Sequence, residues 1–351
     1  MTQSLIPKTT NLEASLTNAI KTFGDNCNIC VYGAPGIGKS QIIENLKNPR
    51  TGKQFKVQVV RAYETGEFTL GLPMVNSKVT TFTKPEWVDS VLTNKPDILL
   101  FDDHHLAPES VSNYLYMFLT DRVFQGVSLG NLIVIFAGNW GIKGATPNDI
   151  PAPVMSRMDY LVEFVPDYKS FCSWAYKANR ISTEILDFIK IQGNNDYLYT
   201  ADPAAGEMSI NPRVWEKLSK ALTAEFPLPE TDIQNVIGPK LASLYSDYRS
   251  YFKNSLNDLL SKKFDSNSKI ADVCYTAVVI ASKVTDIDWK KVTPDHKVLK
   301  FILSLREEAQ LLFFKKIVTR MVADKQDPNP LVNFLINHSK GLASILEKDP
   351  Y

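Results

Sequence analysis

Short apolar runs alternate with amphipathic stretches through the first half of the chain. Five of the runs are rich in β-branched or aromatic residues and are bounded by Gly, Pro, Asn or Asp, which is typical of buried parallel strands. The predicted strands are Ile29–Tyr32, Phe55–Val60, Ile98–Phe101, Leu132–Ala137 and Tyr160–Phe164. Helical spacing lies between them, at Ser40–Leu46 and Pro108–Asp121. This alternation predicts an α/β fold, a doubly wound parallel sheet with crossover helices.

The strand signals end near residue 166, and the rest of the chain has a helical period. The stretch Asn194–Glu207, rich in Asn, Asp, Gly and Pro, is predicted to be a loop. The predicted helices are Ser170–Asn179, Thr183–Gln192, Asn211–Leu222, Thr231–Leu260, Ile270–Val284, Lys297–Met321 and Leu331–Leu346. A helical region therefore follows the α/β domain.

Composition narrows the class of protein. Hydrophobic residues make up 44% and charged residues 22%, which excludes a disordered, collagen-like or coiled-coil chain. Four cysteines form no disulfide framework, and no apolar run reaches the ~18 residues of a membrane helix. The N-terminus has no signal-peptide pattern. We therefore expect a soluble cytoplasmic protein that does not bind membranes.

The charge balance disfavours nucleic acid as a partner. Thirty-nine Lys and Arg oppose 38 Asp and Glu, a net charge of +1, whereas nucleic-acid binders usually carry a basic excess. The stretch Tyr245–Lys253 does mix aromatic and basic residues, as single-strand binders do. Packed helix faces show the same mixture more often, and we favour that interpretation.

A phosphate-binding loop is the strongest chemical signal. Residues 33–40 fit G-x-x-x-x-G-K-[ST] at every fixed position, between an apolar strand and a helix, so a chance match at a glycine-rich turn is the weaker alternative. The glycines let backbone N–H groups face the phosphates, and the helix N-terminus adds positive partial charge. Lys39 is expected to reach the β- and γ-phosphates, and Ser40 to ligate Mg²⁺. The predicted nucleotide-binding residues are Gly33, Ala34, Pro35, Gly36, Ile37, Gly38, Lys39, Ser40 and Gln41.

Two carboxylates end the strand Ile98–Phe101. On a neighbouring parallel strand, Asp102 would fall beside the phosphate loop and hold Mg²⁺, and Asp103 would polarise the attacking water. The alternative is a pair of acids that simply starts a solvated turn. His104 and His105 follow, but adjacent side chains point in different directions and no third ligand is evident, so structural or solvent-facing roles are expected.

The order of these motifs resembles that of AAA+ ATPases, and within them the MoxR-like branch, over roughly residues 10–225. Asp102-Asp103 stands where that family has an Asp-Glu pair. Four further segments resemble that branch's insertion, its sensor 1 strand, its arginine-finger segment and its sensor 2 helix: Tyr63–Pro73 with Thr83–Trp87, Leu132–Trp140, Val154–Met158 and Ser209–Trp215.

The resemblance implies roles for three further residues. Asn139 would hold the attacking water or the γ-phosphate, Arg157 would enter the ATP site of a neighbouring subunit, and Arg213 would contact the γ-phosphate from the lid. A turn residue and a surface ion pair are the plain alternatives for Asn139 and Arg157. Local physics supports Arg213: Asn211 suits an N-cap and Pro212 a first helical position, and a cation there favours an anionic partner. Arg122 is a weaker candidate for facing a neighbour.

The resemblance also implies an overall architecture and activity. It predicts a nucleotide-binding domain over 1–166, the start of a helical lid over 167–226, and the remaining lid and helical region over 227–351. A ring of copies, usually a hexamer, would hydrolyse ATP with Mg²⁺ to remodel a client protein or a partner with a von Willebrand factor A domain. Asp103, one methylene shorter than the usual glutamate, leaves open a slowly hydrolysing assembly switch. A nucleic-acid-dependent motor is the third alternative.

Overall fold

The computed structural model describes residues 7–76, 79–139, 155–200, 208–284, 287–289 and 291–338. The chain forms two compact units, one of Met1–Ser170 with Tyr199–Val214 and the other of Phe171–Leu198 with Trp215–Tyr351. The domain boundaries at 166 and 226 stay a prediction. Trp140, Val154, residues 201–207 of the predicted loop and residues 339–346 of the last predicted helix lie outside the described residues.

A six-stranded parallel sheet organises the first unit. Its spatial order is β1–β10–β2–β9–β6–β3, and every neighbouring pair runs parallel, which confirms the predicted doubly wound α/β class. Two small antiparallel hairpins, β4–β5 and β7–β8, accompany it. The strands are β1 Lys8–Thr9, β2 Asn28–Tyr32, β3 Val57–Val60, β4 Pro73–Asn76, β5 Val79–Phe82, β6 Ile98–Phe101, β7 Val123–Phe124, β8 Val127–Ser128, β9 Ile133–Gly138 and β10 Tyr160–Phe164.

Helices cover both faces of this sheet. Because side chains along a strand alternate between faces, Leu99 and Phe101 pack into one core while Ile98 and Leu100 pack into the other. The helices are Leu12–Phe23, Lys39–Glu44, Ala62–Thr65, Glu86–Asn94 and Glu109–Asp121, with 3-10 turns at Gly66–Leu70 and His104–Leu106. The prediction omitted Leu12–Phe23 and Glu86–Asn94.

The rest of the described chain is helical, as expected. Its helices are Tyr168–Lys177, Thr183–Gln192, Pro212–Thr223, Gln234–Ile237, Pro239–Ser250, Leu256–Ser261, Ile270–Lys283, Lys297–Leu303, Glu307–Ala323 and Asn329–His338. Tyr245 and Tyr248 are fully buried and pack on Phe188, so this aromatic stretch is a helix face in a core. Within the described ranges, no helix is long and apolar enough to span a bilayer.

Two of the predicted helices are wrong in extent. Thr231–Leu260 is interrupted at Gly238, whose φ of 77° leaves the helical region and precedes Pro239. It breaks again before Ser255, which begins a new helix with a capping box to Asp258. Lys297–Met321 is two helices, since Ser304 ends the first and the second begins at Glu307.

Candidate nucleotide-binding site

The loop between β2 and the helix Lys39–Glu44 passes close to the backbone of Phe164 and to the side chain of Asn211. A Cβ at Gly33 would lie 2.5 Å from the carbonyl oxygen of Phe164, and one at Gly36 would lie 2.6 Å from Oδ1 of Asn211. Gly36 also has a φ of 73°, which side-chain-bearing residues rarely adopt. These contacts explain why the loop requires glycine at both positions.

Several backbone donors of this loop are available to a ligand. In the part of the chain that the structure describes, the N–H groups of Gly36, Ile37 and Gly38 donate no hydrogen bond to a protein acceptor. Unpaired N–H groups beside a helix N-terminus form a cradle for an anion, so the loop fits a polyphosphate.

Lys39 lies under the loop and is buried. Its Nζ donates to the carbonyl oxygens of Gly33 (2.9 Å) and Ala34 (3.0 Å) and to Oδ1 of Asn139 (2.7 Å). Burial lowers the pKa of Lys39 to about 8, Asp103 and Asp102 oppose the shift, and the charge of Arg213 adds to it. The ammonium is therefore poorly compensated and is suited to an incoming anion.

Ser40 and Asp102 meet although β9 lies between β2 and β6 in the sheet, so the expectation that Asp102 follows a strand next to β2 is wrong. The Ser40 hydroxyl donates to Oδ1 of Asp102 at 2.7 Å. A hydroxyl and a carboxylate oxygen beside a phosphate cradle are the hard ligands that Mg²⁺ accepts, with phosphate and water completing its shell. In the described residues, this site included, no group of three or more His, Cys, Asp or Glu side chains is placed to hold a metal ion. The donor set therefore fits Mg²⁺ bound together with a phosphate.

Asp103 follows in an uncommon backbone conformation. Its φ of 47° is left-handed, and its N–H donates to Oδ1 of Asp102 at 3.2 Å. Asp103 occupies the N-cap position of the 3-10 turn His104–Leu106, and its side chain makes no capping hydrogen bond there. Its carboxylate is close enough to Lys39 to be the largest opposing charge on that side chain. The structure thus places Asp103 beside the cradle.

His105 belongs to the same cluster, which the sequence did not indicate. It is buried, and its Nδ1 accepts the backbone N–H of Asn139 at 3.2 Å. The sequence feature that could have indicated this contact is the position of His105, three residues after Asp102 and just beyond the end of β6, the strand that pairs with β9. His104 is structural, as one alternative held: it is buried and its ring stacks on Phe136 at 4.4 Å. Burial lowers the pKa of His104 to about 4.

Arg213 and the loop belong to one compact unit. The backbone N–H of Arg213 donates to the carbonyl oxygen of Gly36 at 3.3 Å. Asn211 caps the helix by accepting the N–H of Val214, and Pro212 is the first helical residue, as predicted. The positive charge of Arg213 lowers the pKa of Lys39, so this guanidinium lies within electrostatic reach of the cradle.

Arg157 lies away from this cluster. Its carbonyl oxygen accepts from Nδ2 of Asn28, the first residue of β2, whereas the phosphate loop follows the last residue of that strand. Its Nε donates to Oγ1 of Thr120 at 2.9 Å. Arg157 is therefore at the opposite edge of the sheet from the cradle of its own chain.

Arg122 does not face outward, which corrects the weaker expectation. Its side chain is buried and donates to the carbonyl oxygens of Asn26, Leu119 and Leu132. A guanidinium used this way ties loops together inside the unit and is not available to a neighbouring subunit.

A comparison with protein families decides the class of this site. Residues 28–139 match the family described as AAA domain (dynein-related subfamily). This segment is similar to AAA domains. The match contains the phosphate loop, the acidic strand end and Asn139; Arg157 and Arg213 lie beyond it. It does not distinguish the MoxR-like branch.

A comparison with curated protein sequences finds no match. Among solved structures, the chain is similar to a DNA replication initiation factor, with 13% identity, a TM-score of 0.36, and coverage of 90% of this chain and 96% of that one. The chain is also similar to the replication initiator DnaA bound to AMPPCP and single-stranded DNA, with 14% identity and a TM-score of 0.38. That match covers 98% of this chain and 94% of the other. A third similar structure is Hsp104 with ATPγS and FITC casein, with 16% identity and a TM-score of 0.38. That match covers 67% of this chain and 45% of the other, under half of its length.

Proposed function

We propose that the AAA domain binds Mg-ATP on residues 33–41 and hydrolyses it. The 2.7 Å hydrogen bond between Ser40 and Asp102, beside the buried ammonium of Lys39, carries this proposal. A cation that can bind phosphate (Lys39) and two hard oxygen ligands (Ser40 and Asp102) therefore lie at the same edge of the sheet. AAA domains are in general ATPases, and this donor set suits a nucleoside triphosphate better than a singly charged ligand.

Each residue has a role in phosphoryl transfer, which needs positioning and charge neutralisation more than covalent chemistry. Lys39 exchanges its carbonyl partners for phosphate oxygens. Ser40 and Asp102 would hold Mg²⁺, which when bound supplies charge neutralisation at the phosphates. Asp103 and Asn139 orient the attacking water, and Arg213 offsets charge on the terminal phosphate.

Arg157 completes the site of a neighbouring copy in this proposal. Its place at the opposite edge of the sheet keeps it from its own cradle and supports a role in trans. The arrangement makes hydrolysis depend on a ring homo-oligomer. The hexameric state, the MoxR-like branch, and a client or von Willebrand factor A domain partner rest on the sequence resemblance.

The direct test is Lys39→Ala. Removing the ammonium should abolish ATP binding, because the cradle then lacks its main charge; titration calorimetry with Mg-ATP measures the loss. Lys53→Ala is the matched control, an exposed lysine on a turn, and should bind like wild type. Unchanged affinity in Lys39→Ala would overturn the assignment of the loop.

A second candidate is an ATP-dependent assembly switch that hydrolyses slowly. The observation that favours it is Asp103, which carries a short carboxylate on a left-handed backbone where the family has glutamate. A carboxylate displaced by about 1 Å from its productive place can cost ~10²-fold in rate.

A further inference from the structure

A pocket of about 250 Å³ lies in the second unit, lined mainly by three of its helices. The helices are Thr183–Gln192, Ile270–Lys283 and Glu307–Ala323. Each contributes one apolar side chain to the wall: Leu186, Val278 and Leu312. Sites for drug-sized ligands measure ~300–1,000 Å³ and combine apolar walls with a few polar groups that fix the orientation of the ligand. This pocket, slightly smaller, has the size of a site for a small metabolite.

Positive charge exceeds negative charge in the lining of this pocket, which we call the cationic pocket. Its cationic side chains are those of Lys190, Lys315, Lys316 and Arg320. Among the described residues that line it, Asp187 is the one acid. Asp187 pairs with Lys316, and the two side chains are only 14% and 17% exposed. The carboxylate of the pocket is therefore already matched to one of its four cations.

Glu184, an acid on the same helix as Asp187, does not supply further negative charge to the pocket. Its carboxylate accepts from the hydroxyl of Tyr245 at 2.7 Å and pairs with Arg249 at 2.9 Å, and Glu184 is not part of the pocket lining. The excess of positive charge is thus not relieved by this neighbouring acid.

Lys190 is one turn along its helix from Leu186 and Asp187 and is half-buried. In the described ranges of the chain, it forms no hydrogen bond and no ion pair. A half-buried ammonium without a protein acceptor is a ready donor to a ligand, because an anion would replace the water that now solvates it.

Arg320 is held in place but keeps free donors. Its guanidinium donates to the carbonyl oxygens of Ala281 (3.1 Å) and Val284 (2.5 Å) at the end of the helix Ile270–Lys283. These bonds use two of the five N–H groups of the guanidinium, and carbonyl oxygens offset only part of its charge. Arg320 therefore presents further N–H groups from a fixed position.

Two positive charges, those of Lys190 and Arg320, match a dianion better than a single carboxylate. A phosphate monoester carries about −1.5 to −2 charges near pH 7, and both Lys and Arg bind phosphate well. We propose that the cationic pocket binds a small phosphorylated molecule, whose phosphate accepts hydrogen bonds from Lys190 and Arg320 while its carbon skeleton packs on the apolar wall. The residues of this site are separate from the phosphate loop, and its occupancy does not depend on nucleotide binding.

Titration calorimetry of the full chain with phenyl phosphate tests the inference. The probe carries a dianionic phosphate on a small ring, and benzoate is the comparison because it has the same ring with one charge. We expect phenyl phosphate to bind at least about tenfold more tightly than benzoate, since it accepts charged hydrogen bonds from both cations. Equal affinities would contradict the assignment of a dianion.

Variants locate the bound probe. Lys190→Ala should weaken phenyl phosphate binding about tenfold or more, because a charged hydrogen bond is lost, and Lys190→Arg should stay within about threefold of wild type. If Lys190→Ala does not fold, Lys190→Gln carries the same expectation. Lys300→Ala, an exposed lysine on the helix Lys297–Leu303, is the matched control and should bind like wild type. Lys39→Ala should also bind the probe like wild type.

The outcomes separate this inference from the proposed function. No binding of phenyl phosphate at millimolar concentration, or unchanged binding in Lys190→Ala, overturns the inference. Binding that is lost in Lys39→Ala and kept in Lys190→Ala assigns the probe to the phosphate loop, which also overturns the inference but supports the proposed function. A single-stranded oligonucleotide that depends on Lys190 and binds more tightly than phenyl phosphate would overturn the assignment of a small molecule.

Discussion

Among the individual residues of the site, Lys39 has the charge that its surroundings disturb most clearly. The ammonium is buried against carbonyl oxygens, and the nearby Arg213 disfavours its charge further. In the proposed complex, bound phosphates add countercharge to that of Asp103 and Asp102. The protonated form of Lys39 is therefore favoured far more in the complex than in the free protein, and binding is linked to its proton.

The linkage predicts that ATP affinity falls as pH rises. Below pH 8 Lys39 is already charged, whereas above the pKa of about 8 the complex must take up a proton. Affinity should be about tenfold weaker at pH 9 than at pH 7, one decade for one pH unit above that pKa. Calorimetric titrations at both pH values measure it. In Lys39→Arg, any residual binding should not weaken over this range; an equally flat profile in wild type would contradict the assigned pKa.

The length of the Asp103 side chain is the second prediction at this scale. If the short carboxylate limits hydrolysis, Asp103→Glu should raise steady-state ATPase activity about tenfold or more, because the carboxylate then reaches the attacking water. A large gain would support the switch, and an unchanged or lower rate would support an active ATPase adapted to aspartate. Glu109→Asp, at the exposed start of the helix Glu109–Asp121, is the control and should have no effect.

At the scale of elements, Arg122 ties the end of the helix Glu109–Asp121 to two neighbouring loops of the α/β unit by hydrogen bonds. It ends the helix Glu109–Asp121 with a φ of 54° and donates to three backbone carbonyls. Asn28 also donates to the Leu119 carbonyl, so removing Arg122 leaves the carbonyls of Asn26 and Leu132 without this donor.

Arg122→Ala should therefore lower the free energy of unfolding by about 2–3 kcal/mol, because the buried carbonyl oxygen of Leu132 loses its donor and a partly buried hydrogen bond to Asn26 is also lost. Urea denaturation measures the change. Arg50→Ala removes an exposed ion pair with Asp25 and should cost about 0–1 kcal/mol. Equal costs for the two variants would contradict the internal role of Arg122.

Elements were predictable where the hydrophobic pattern was strong. The strand Ile98–Phe101 and the helix Thr183–Gln192 have their predicted bounds, because apolar runs and turn residues delimit them clearly. The break at Gly238 was missed because the helical period continues across it. His105 was assigned no chemistry because its contact with Asn139 depends on the order of strands β6 and β9, which no local pattern contains.

The account of the whole molecule depends on more than one copy. Lys39, Ser40 and Asp102 meet within one α/β unit, whereas Arg157 lies across the sheet from them. A site that needs both groups is complete only when subunits adjoin, so nucleotide binding and assembly should occur together.

Native mass spectrometry with a non-hydrolysable ATP analogue tests this most directly, since it counts subunits and bound nucleotides in one spectrum. We expect wild type to form a closed oligomer that carries nucleotide, Lys39→Ala to carry none, and Arg157→Ala to bind nucleotide with weaker assembly. A wild-type protein that stays monomeric at micromolar concentration with nucleotide bound would contradict the role of Arg157 in trans. A wild-type protein without bound nucleotide would contradict the account at its centre.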